Sequence, residues 1–185
     1  QHQKHLRRRF AHSKAEVLHA VEEVSCGIRD DILVIGARFP LDVEMDNVIL
    51  LDCMESDNSN SIQLDHAFAA ETACNYLTSQ GRRQIALIHP HGSGFADQVL
   101  LGYKHALEKN FLPFNRSLVF MDATSSSVAL QELLNNASTL NVNALLVADE
   151  QEAQRGIPQL QAFNKSVPDD IMVCSLAGAL HLPGI

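Results

Sequence analysis

The sequence predicts an α/β fold in which parallel sheets are flanked by helices, and three observations support this prediction. Short unbroken apolar runs, such as residues 85–88 and 144–148, are typical of strands buried on both faces of a parallel sheet. Amphipathic segments with helical periodicity separate these runs almost throughout the chain. Their regular alternation is the pattern of right-handed βαβ units.

The pattern is clearest over residues 65–88. Asp65 is suited to cap a helix over residues 66–80, because its carboxylate can accept hydrogen bonds from the N–H groups of the first turn. Apolar residues recur there at spacings of three and four, and Gly81 can adopt the left-handed conformation that ends many helices. The pattern also predicts a buried strand over residues 85–88, so this stretch is expected to form a helix followed by a strand.

The same reasoning places the other elements in order. Ser13 and Glu16 form a capping box that begins a helix over residues 14–26. The remaining helices and strands are predicted at residues 32–36, 48–51, 62–64, 95–109, 118–121, 128–134, 144–148 and 171–174. Gly156 and Pro158 interrupt the helix that follows residue 150, and we expect Pro158 to begin a restarted helix.

Composition limits the classes of protein to consider. With 185 residues, 46% of them hydrophobic, the chain can bury a core as one domain or two small lobes. A net charge of −8 argues against nucleic-acid binding by the bulk surface. No apolar run approaches the roughly 18 residues of a membrane span and no secretion signal opens the chain, so a cytoplasmic location is expected. The four cysteines form no CxxC pair, which favours buried free thiols.

Candidate catalytic and metal-binding motifs are weak. His89 and His91 flank Pro90 at a predicted strand end, where a metal-binding pair is conceivable, but no third ligand has a recognisable spacing. The segment of residues 92–94 lacks the lysine of a phosphate-binding loop, and no serine lies in a nucleophile-elbow context. We therefore predict a protein that is not an enzyme and needs no cofactor or metal.

Three separated motifs then point to a family. They are TSQGRRQIALI at residues 78–88, LGYKHAL at residues 101–107 and VPDDIMV at residues 167–173. In this order they resemble the effector-binding region of the lactose-repressor (LacI/GalR) family of transcriptional regulators. The resemblance implies two α/β lobes of the periplasmic-binding-protein-like fold, with a small ligand bound in the cleft between them. It also implies that residues 1–83 are part of the first lobe and residues 84–185 part of the second, both incomplete.

The same resemblance implies where the effector cleft lies. The matching positions are Asp65, Ser93, Phe95, Val99, Ala123, Asp149 and Ala177. Asp65 has the helix cap as an equally good interpretation. Val99 stands where the family usually has an arginine that clamps the ligand, Ala123 where it has a stacking aromatic ring, and Ala177 where it has an aspartate. A site with these replacements cannot bind a sugar in the family's usual way.

The resemblance therefore implies the effector-binding and dimerisation region of a DNA-binding transcriptional regulator. Its partners would be a small-molecule effector, a second copy in a homodimer, and operator DNA held by a headpiece that we do not find in this sequence. One alternative is a solute-binding protein of a sugar transporter, which shares the fold. The lack of a secretion signal argues against this alternative, and so does the GRRQIALI motif, which is more typical of the regulators. Another is a regulator-like protein that has lost small-ligand binding and acts through protein contacts.

Overall fold

The computed structural model describes residues 9–11, 13–25, 31–37, 39, 41, 47–54, 60–89, 95–121, 126–136, 141–147 and 150–176. The chain packs as two units, Gln1–Leu64 and Asp65–Ile185. Each unit is an α/β structure with one parallel sheet, so the predicted fold class is confirmed.

The first unit has one helix and three strands. They are α1 (Lys14–Ser25), β1 (Ile32–Ile35), β2 (Val48–Leu51) and β3 (Ser61–Ile62). The strands are parallel and lie in the order β1-β2-β3. The N–H of Glu16 donates to the Ser13 hydroxyl oxygen at 3.3 Å, so the helix begins where the capping box predicted.

The two faces of the first sheet differ. One face packs against α1, where Val21, Val48 and Leu50 are buried. The opposite face presents four apolar side chains that are 40–65% exposed, namely Leu33, Ile35, Ile49 and Ile62. Parallel sheets normally have both faces covered. In the part of the chain that the structure describes, this sheet has helix cover on one face only.

The second unit contains four helices and four strands among the described residues. They are α2 (His66–Ser79), β4 (Ile85–Ile88), α3 (Ala96–Lys109), β5 (Val119–Phe120, entered through a 3-10 turn at Arg116–Leu118), α4 (Ser126–Asn135), β6 (Ala144–Val147), α5 (Glu150–Ala162) and β7 (Met172–Ser175). All neighbouring strands are parallel, in the order β5-β4-β6-β7.

Both faces of this second sheet are covered by helices. Ile85 and Leu87 of β4 belong to a core that also holds side chains of α2 and α3. Ala86 and Ile88 point to the other face and pack in a core with side chains of α4 and α5. All four β4 residues are buried, which explains why the strand is apolar without alternation.

Most predicted boundaries agree with the structure to within a few residues, but two local predictions are wrong. Pro158 does not begin a restarted helix, because α5 runs without a break from Glu150 to Ala162. Ala153 and Leu160 on either side of it are both buried, so packing of the whole helix outweighs the hydrogen bond that proline cannot donate. In α3, the apolar residues predict one buried side made of Leu100, Leu101, Tyr103, Ala106 and Leu107. Leu101 is instead 49% exposed.

The two packing units divide at residue 64, whereas the predicted lobe boundary followed residue 83. Helix α2 lies in the second unit, where it packs along α3 and contributes to the core. The assignment of residues 1–83 and 84–185 to two lobes stays a prediction. None of the described helices combines the length and hydropathy that a membrane span requires.

Candidate functional site

The carboxyl edge of the second sheet is the candidate site, and strand order identifies it. Strand β4 lies between β5 and β6 in the sheet. After β4 the chain first forms β5 on one side of it and later forms β6 on its other side. Such a reversal of strand order opens a crevice at the carboxyl ends of the strands, where open α/β sheets bind ligands. We therefore expect ligand contacts in the second unit at this edge.

Helices α2 and α3 both begin at this edge, because α2 leads into β4 and α3 follows it. The start of α2 is capped by Asp65, whose side chain accepts a hydrogen bond from the N–H of Phe68 at 2.8 Å. The N-cap interpretation of Asp65 is thus confirmed. The carboxylate stays exposed, and it can accept further hydrogen bonds from a ligand hydroxyl.

Phe95 occupies the cap position of α3 in an unusual backbone conformation. Its φ of +54° and ψ of 17° place it in the left-handed region, which costs a residue with a side chain about 1–2 kcal/mol. Its ring stacks on the imidazole of His66, with the ring centroids 4.0 Å apart and the planes inclined by 12°. An aromatic pair contributes about 0.5–1.5 kcal/mol beyond buried area, which offsets much of the backbone strain. The stack joins the first residue of α2 to the cap residue of α3.

A close helix contact holds the two helix starts in place. A side chain at Gly102 would put a Cβ atom 1.9 Å from the carbonyl oxygen of Ala67, so glycine is required for α3 to approach α2 this closely. At the other end of the helix pair, the Asn110 amide donates to the Asn75 side-chain oxygen at 2.7 Å, and the Thr78 hydroxyl donates to Asn110 at 3.1 Å. The backbone contact between the start of α2 and the middle of α3, together with the hydrogen bonds near the ends of both helices, fixes the relative position of α2 and α3.

Beneath the helix starts lies the core of the unit, and it includes one predicted cleft residue. Val99 is only 1% exposed and packs in the core with residues of α2 and β4. Tyr103, one turn further along α3, donates its hydroxyl to the carbonyl oxygen of Ile85 at 2.8 Å, and burial raises the pKa of that hydroxyl. Val99 therefore contributes to packing in this structure, and its assignment to the effector cleft stays a prediction.

The predicted histidine pair lies after the end of strand β4. His89 follows β4 directly, is buried to 4% exposure, and its backbone N–H donates to Phe120 at 3.1 Å. Pro90 and His91 lie outside the described residues, so the histidine pair is not visible as a unit. Among the residues that the structure describes, no three His, Cys, Asp or Glu side chains are grouped to hold a metal ion.

Four of the seven predicted cleft residues also lie outside the described part of the chain. They are Ser93, Ala123, Asp149 and Ala177. In sequence, each comes a few residues after the last residue of β4, β5, β6 or β7. These parallel strands end at the same edge of one sheet, which is the edge at which α2 and α3 begin.

Comparisons with known proteins agree with the α/β fold. A family model described as a periplasmic binding protein-like domain matches residues 74–182, which is more than half of the chain. The chain belongs to the periplasmic binding protein-like domain family. A search of curated protein sequences gave no significant match.

Solved structures similar to this periplasmic binding protein-like domain include several LacI-family regulators. The Escherichia coli transcriptional repressor ascG has a TM-score of 0.68 and 21% identity, over 89% of this chain and 64% of that one. Transcription regulator CcpA of Lactococcus lactis has a TM-score of 0.66 and 21% identity, over 90% and 62%. A sugar-binding LacI-family regulator from Escherichia coli, complexed with phosphate, has a TM-score of 0.60 and 19% identity, over 92% and 55%.

These likenesses show the fold, and they confirm the resemblance on which the sequence prediction rested. The periplasmic binding protein-like chain spans about 55–64% of the length of these three regulators. All three are described as transcription regulators rather than as enzymes.

Sequence reasoning missed His66 as a residue of the candidate site. The residue was interpreted only as the first residue of a helix, 29 positions before Phe95 in the numbering. One signal was present: a helix that precedes a strand and a helix that follows the same parallel strand both begin at its carboxyl end. Applied to residues 66 and 95, this rule places the two rings at one edge of the sheet.

Proposed function

We propose that this chain is the effector-binding and dimerisation region of a LacI/GalR-type transcriptional regulator. The observation that carries the proposal is the fold likeness to regulators over about nine tenths of the chain. Three sequence motifs of the LacI/GalR effector region support it independently. The site would be the carboxyl edge of the second sheet, where Asp65, His66 and Phe95 lie.

In this proposal a small ligand controls operator binding through the lobes. A ligand shifts an equilibrium between two arrangements only by its difference in affinity for them. The ligand would therefore bind one lobe arrangement better than the other, and the homodimer would pass the change to a DNA-binding headpiece outside these residues. The location would be cytoplasmic, where the operator is.

The effector would be a sugar or a related small molecule, bound without the usual arginine. One similar regulator is itself described as sugar-binding, which supports this ligand class. At the arginine position this chain has Val99, whose side chain is buried in the core and has no hydrogen-bonding group. The ligand would depend on Asp65 and on groups other than a guanidinium.

The burial of Val99 also favours a second candidate, a regulator-like protein that acts by protein contact. A side chain enclosed in the core leaves one fewer polar contact for a ligand. In this case the chain would still form a homodimer, but small molecules would leave its stability unchanged.

Thermal unfolding against a panel of sugars, nucleosides and small organic acids tests the proposal. A ligand at about one hundred times its dissociation constant adds roughly 2.7 kcal/mol to the free energy of unfolding if it binds the folded state alone. The expected result is at least one stabilising ligand and a dimer in sedimentation. A dimer with no stabilising ligand would favour the protein-contact candidate. A monomer that binds sugar would favour a solute-binding protein, and a monomer without a ligand would overturn both regulator candidates.

A further inference from the structure

Helix α3 carries a row of exposed side chains that lie outside the core of the second unit. In chain order they are apolar, basic, acidic and apolar, and we call them the α3 row: Leu101, Lys104, Glu108 and Phe111. Helix positions three and four apart share one face, and Phe111 continues the spacing just past the helix end. Leu101 is 49% exposed and Phe111 is 95% exposed. Two large apolar side chains in one exposed row indicate a contact surface.

The two charged members of the α3 row have no ion-pair partner among the residues that the structure describes. On the same helix, by contrast, Lys109 and His105 face Glu71 of α2. The Lys104 ammonium group stays exposed and lies over the ring of Phe114, 5.0 Å from its centroid. An exposed lysine and an exposed glutamate one turn apart can therefore each pair with an opposite charge on another molecule.

The α3 row is complementary to itself when a second copy is placed antiparallel. Its spacing of three, four and three residues is the same from either end, so a two-fold axis places Leu101 opposite Phe111 of the other copy. The same axis places Lys104 opposite Glu108, and each contact occurs twice. The alternative register that pairs Leu101 with Lys104 brings Glu108 opposite Asp97. Repulsion between these like charges selects the first register.

We infer that the α3 row is a self-association surface, through which two copies of this chain pack their α3 helices antiparallel. This rests on the proposed function, which requires a homodimer, and it names a surface for that homodimer. The backbone contact between Gly102 and Ala67 fixes α3 against α2, so little conformational entropy is lost on association. A single helix pair buries less than the roughly 800 Å² per partner of a standard interface. The association is therefore weak, with a dissociation constant of about 10 μM to 1 mM.

Chemical cross-linking between copies tests the contact directly. Equal amounts of unlabelled and isotope-labelled chain are mixed at about 1 mM and treated with a carbodiimide, which joins a lysine amine to a carboxylate. We expect mass spectrometry to find Lys104 joined to Glu108 in a peptide pair with one labelled and one unlabelled half. A cross-link within one chain has the same label in both halves. Absence of the mixed pair would overturn the surface.

Charge reversal distinguishes the α3 row from other surfaces. Lys104→Glu and Glu108→Lys each convert both ion pairs into like-charge contacts, so each variant alone should self-associate at least about tenfold more weakly in sedimentation equilibrium. An equal mixture of the two variants regains two attractive pairs and should associate within about threefold of the original chain. This rescue excludes misfolding of the variants. Arg155→Glu is the matched control, because it makes the same charge change at an exposed position of α5 and should leave association unchanged.

Phe111→Gly tests the apolar end of the α3 row. Glycine tolerates the left-handed conformation at this position, so weaker association of this variant would not come from strain or unfolding. We expect the dissociation constant to rise about tenfold, because each of the two rings loses its contact with Leu101. An unchanged constant would overturn the surface.

The outcomes separate this surface from the proposed function. Charge variants that dimerise as tightly as the original chain, or a mixture no tighter than either variant alone, would overturn the α3 row. The proposed homodimer would then stand and use another surface. An original chain that stays monomeric at about 1 mM would overturn both the α3 row and the proposed homodimer.

Discussion

At the scale of single residues, three helices of the second unit end in the same left-handed turn with a different residue in it. In each, the N–H of the next residue donates to the carbonyl five positions earlier, at distances of 2.8–3.1 Å. The residues in the turn are Gly81, Phe111 and Asn164. Glycine and asparagine tolerate this conformation, whereas phenylalanine is strained in it. The strain at Phe111 therefore lowers the stability of the folded state, and its ring does not compensate for this because it is exposed.

Replacing Phe111 tests this cost. Phe111→Gly is expected to raise the free energy of unfolding by about 0.5–1 kcal/mol, because the left-handed strain disappears and little contact is lost. Urea denaturation measures it. The matched control is Gly81→Ala, which introduces the same strain after α2 and should lower stability by about 1 kcal/mol. A destabilised Phe111→Gly protein would show that the ring makes contacts of its own.

Burial of Cys74 predicts how stability depends on pH. Burial raises the pKa of this thiol from 9.0 to about 12. Because the folded-state pKa is the higher one, the unfolded chain loses its proton first. The stabilisation is therefore complete below pH 9 and decreases as the pH rises toward 12.

The slope of stability against pH provides the measurement. Between pH 9 and about 11, Cys74 should contribute a loss of about 1.4 kcal/mol per pH unit. Denaturant unfolding of Cys74→Ala should show a slope that is shallower by this amount, whatever its stability at neutral pH. Equal slopes in the two proteins would mean that the thiol reaches solvent in the folded state.

Sequence chemistry predicted some of these residue roles and not others. Asp65 and Gly81 were predictable, because an aspartate before a helix and a glycine after it have local preferences that need no tertiary contact. Phe95 and Phe111 have no such preference for the left-handed region. Their conformations depend on how α3 is held at its two ends, which the local sequence does not contain.

At the scale of secondary-structure elements, two glycines inside helices have opposite roles. Gly102 lets α3 touch the backbone of Ala67, where an added Cβ would be 1.9 Å from the carbonyl oxygen. Gly156 in α5 faces the end of the Leu130 side chain, with an added Cβ at 3.2 Å beside a small cavity that both residues line. The Ala67 backbone cannot move away from an added methyl group. The Leu130 methyl can move, because it lies next to free space.

The two alanine variants should therefore change stability in opposite directions. Gly102→Ala is expected to lower the free energy of unfolding by at least about 2 kcal/mol through overpacking. Gly156→Ala should raise it by about 0.5–1 kcal/mol, since alanine is the better helix former and Leu130 can adjust. Thermal and urea unfolding of both variants check the signs. Similar effects from both would contradict the close α2–α3 contact.

Helical periodicity predicted that α2 and α3 exist, but it did not predict how they meet. Gly102 looked like part of a family motif, and only the structure shows the backbone contact that requires it. The prediction at Pro158 was wrong for the opposite reason. The cost of a proline inside a helix can be inferred from the sequence, whereas the packing of Ala153 and Leu160 that compensates for it cannot.

At the scale of the whole molecule, the two units differ in how completely their sheets are covered. The second sheet is enclosed by α2 and α3 on one face and by α4 and α5 on the other. The first sheet exposes an apolar face, and α1 covers the other. Burial of apolar surface is the main source of folding stability, so the second unit should be the more independent one.

A fragment of residues 65–185 should therefore fold alone. We expect mixed α/β circular dichroism and one cooperative thermal transition from it, whereas a fragment of residues 1–64 should lack a cooperative transition. Calorimetry of the two fragments, with the intact chain as reference, makes the comparison. An unfolded 65–185 fragment would show that the second unit depends on contacts outside itself.

The fold class was predictable, because apolar strand runs and alternating helices specify parallel sheets. The carboxyl edge of such a sheet is where a ligand is expected on general grounds, and this location stays a prediction. The individual residues of the candidate site were harder to predict from the sequence than the fold class. The predicted cleft positions depend on a resemblance, and one of them, Val99, packs in the core. The pairing of His66 with Phe95 depends on two helix starts that are far apart in sequence.

We propose that a small ligand binds at the carboxyl edge of the second sheet. Amide hydrogen exchange with and without the ligand found by thermal unfolding tests it most directly. We expect slower exchange at the starts of α2 and α3, residues 65–69 and 95–99, and unchanged exchange at the opposite edge, residues 110–116 and 165–170. Protection confined to the opposite edge, or no protection under saturating ligand, would show that the ligand does not bind at the carboxyl edge.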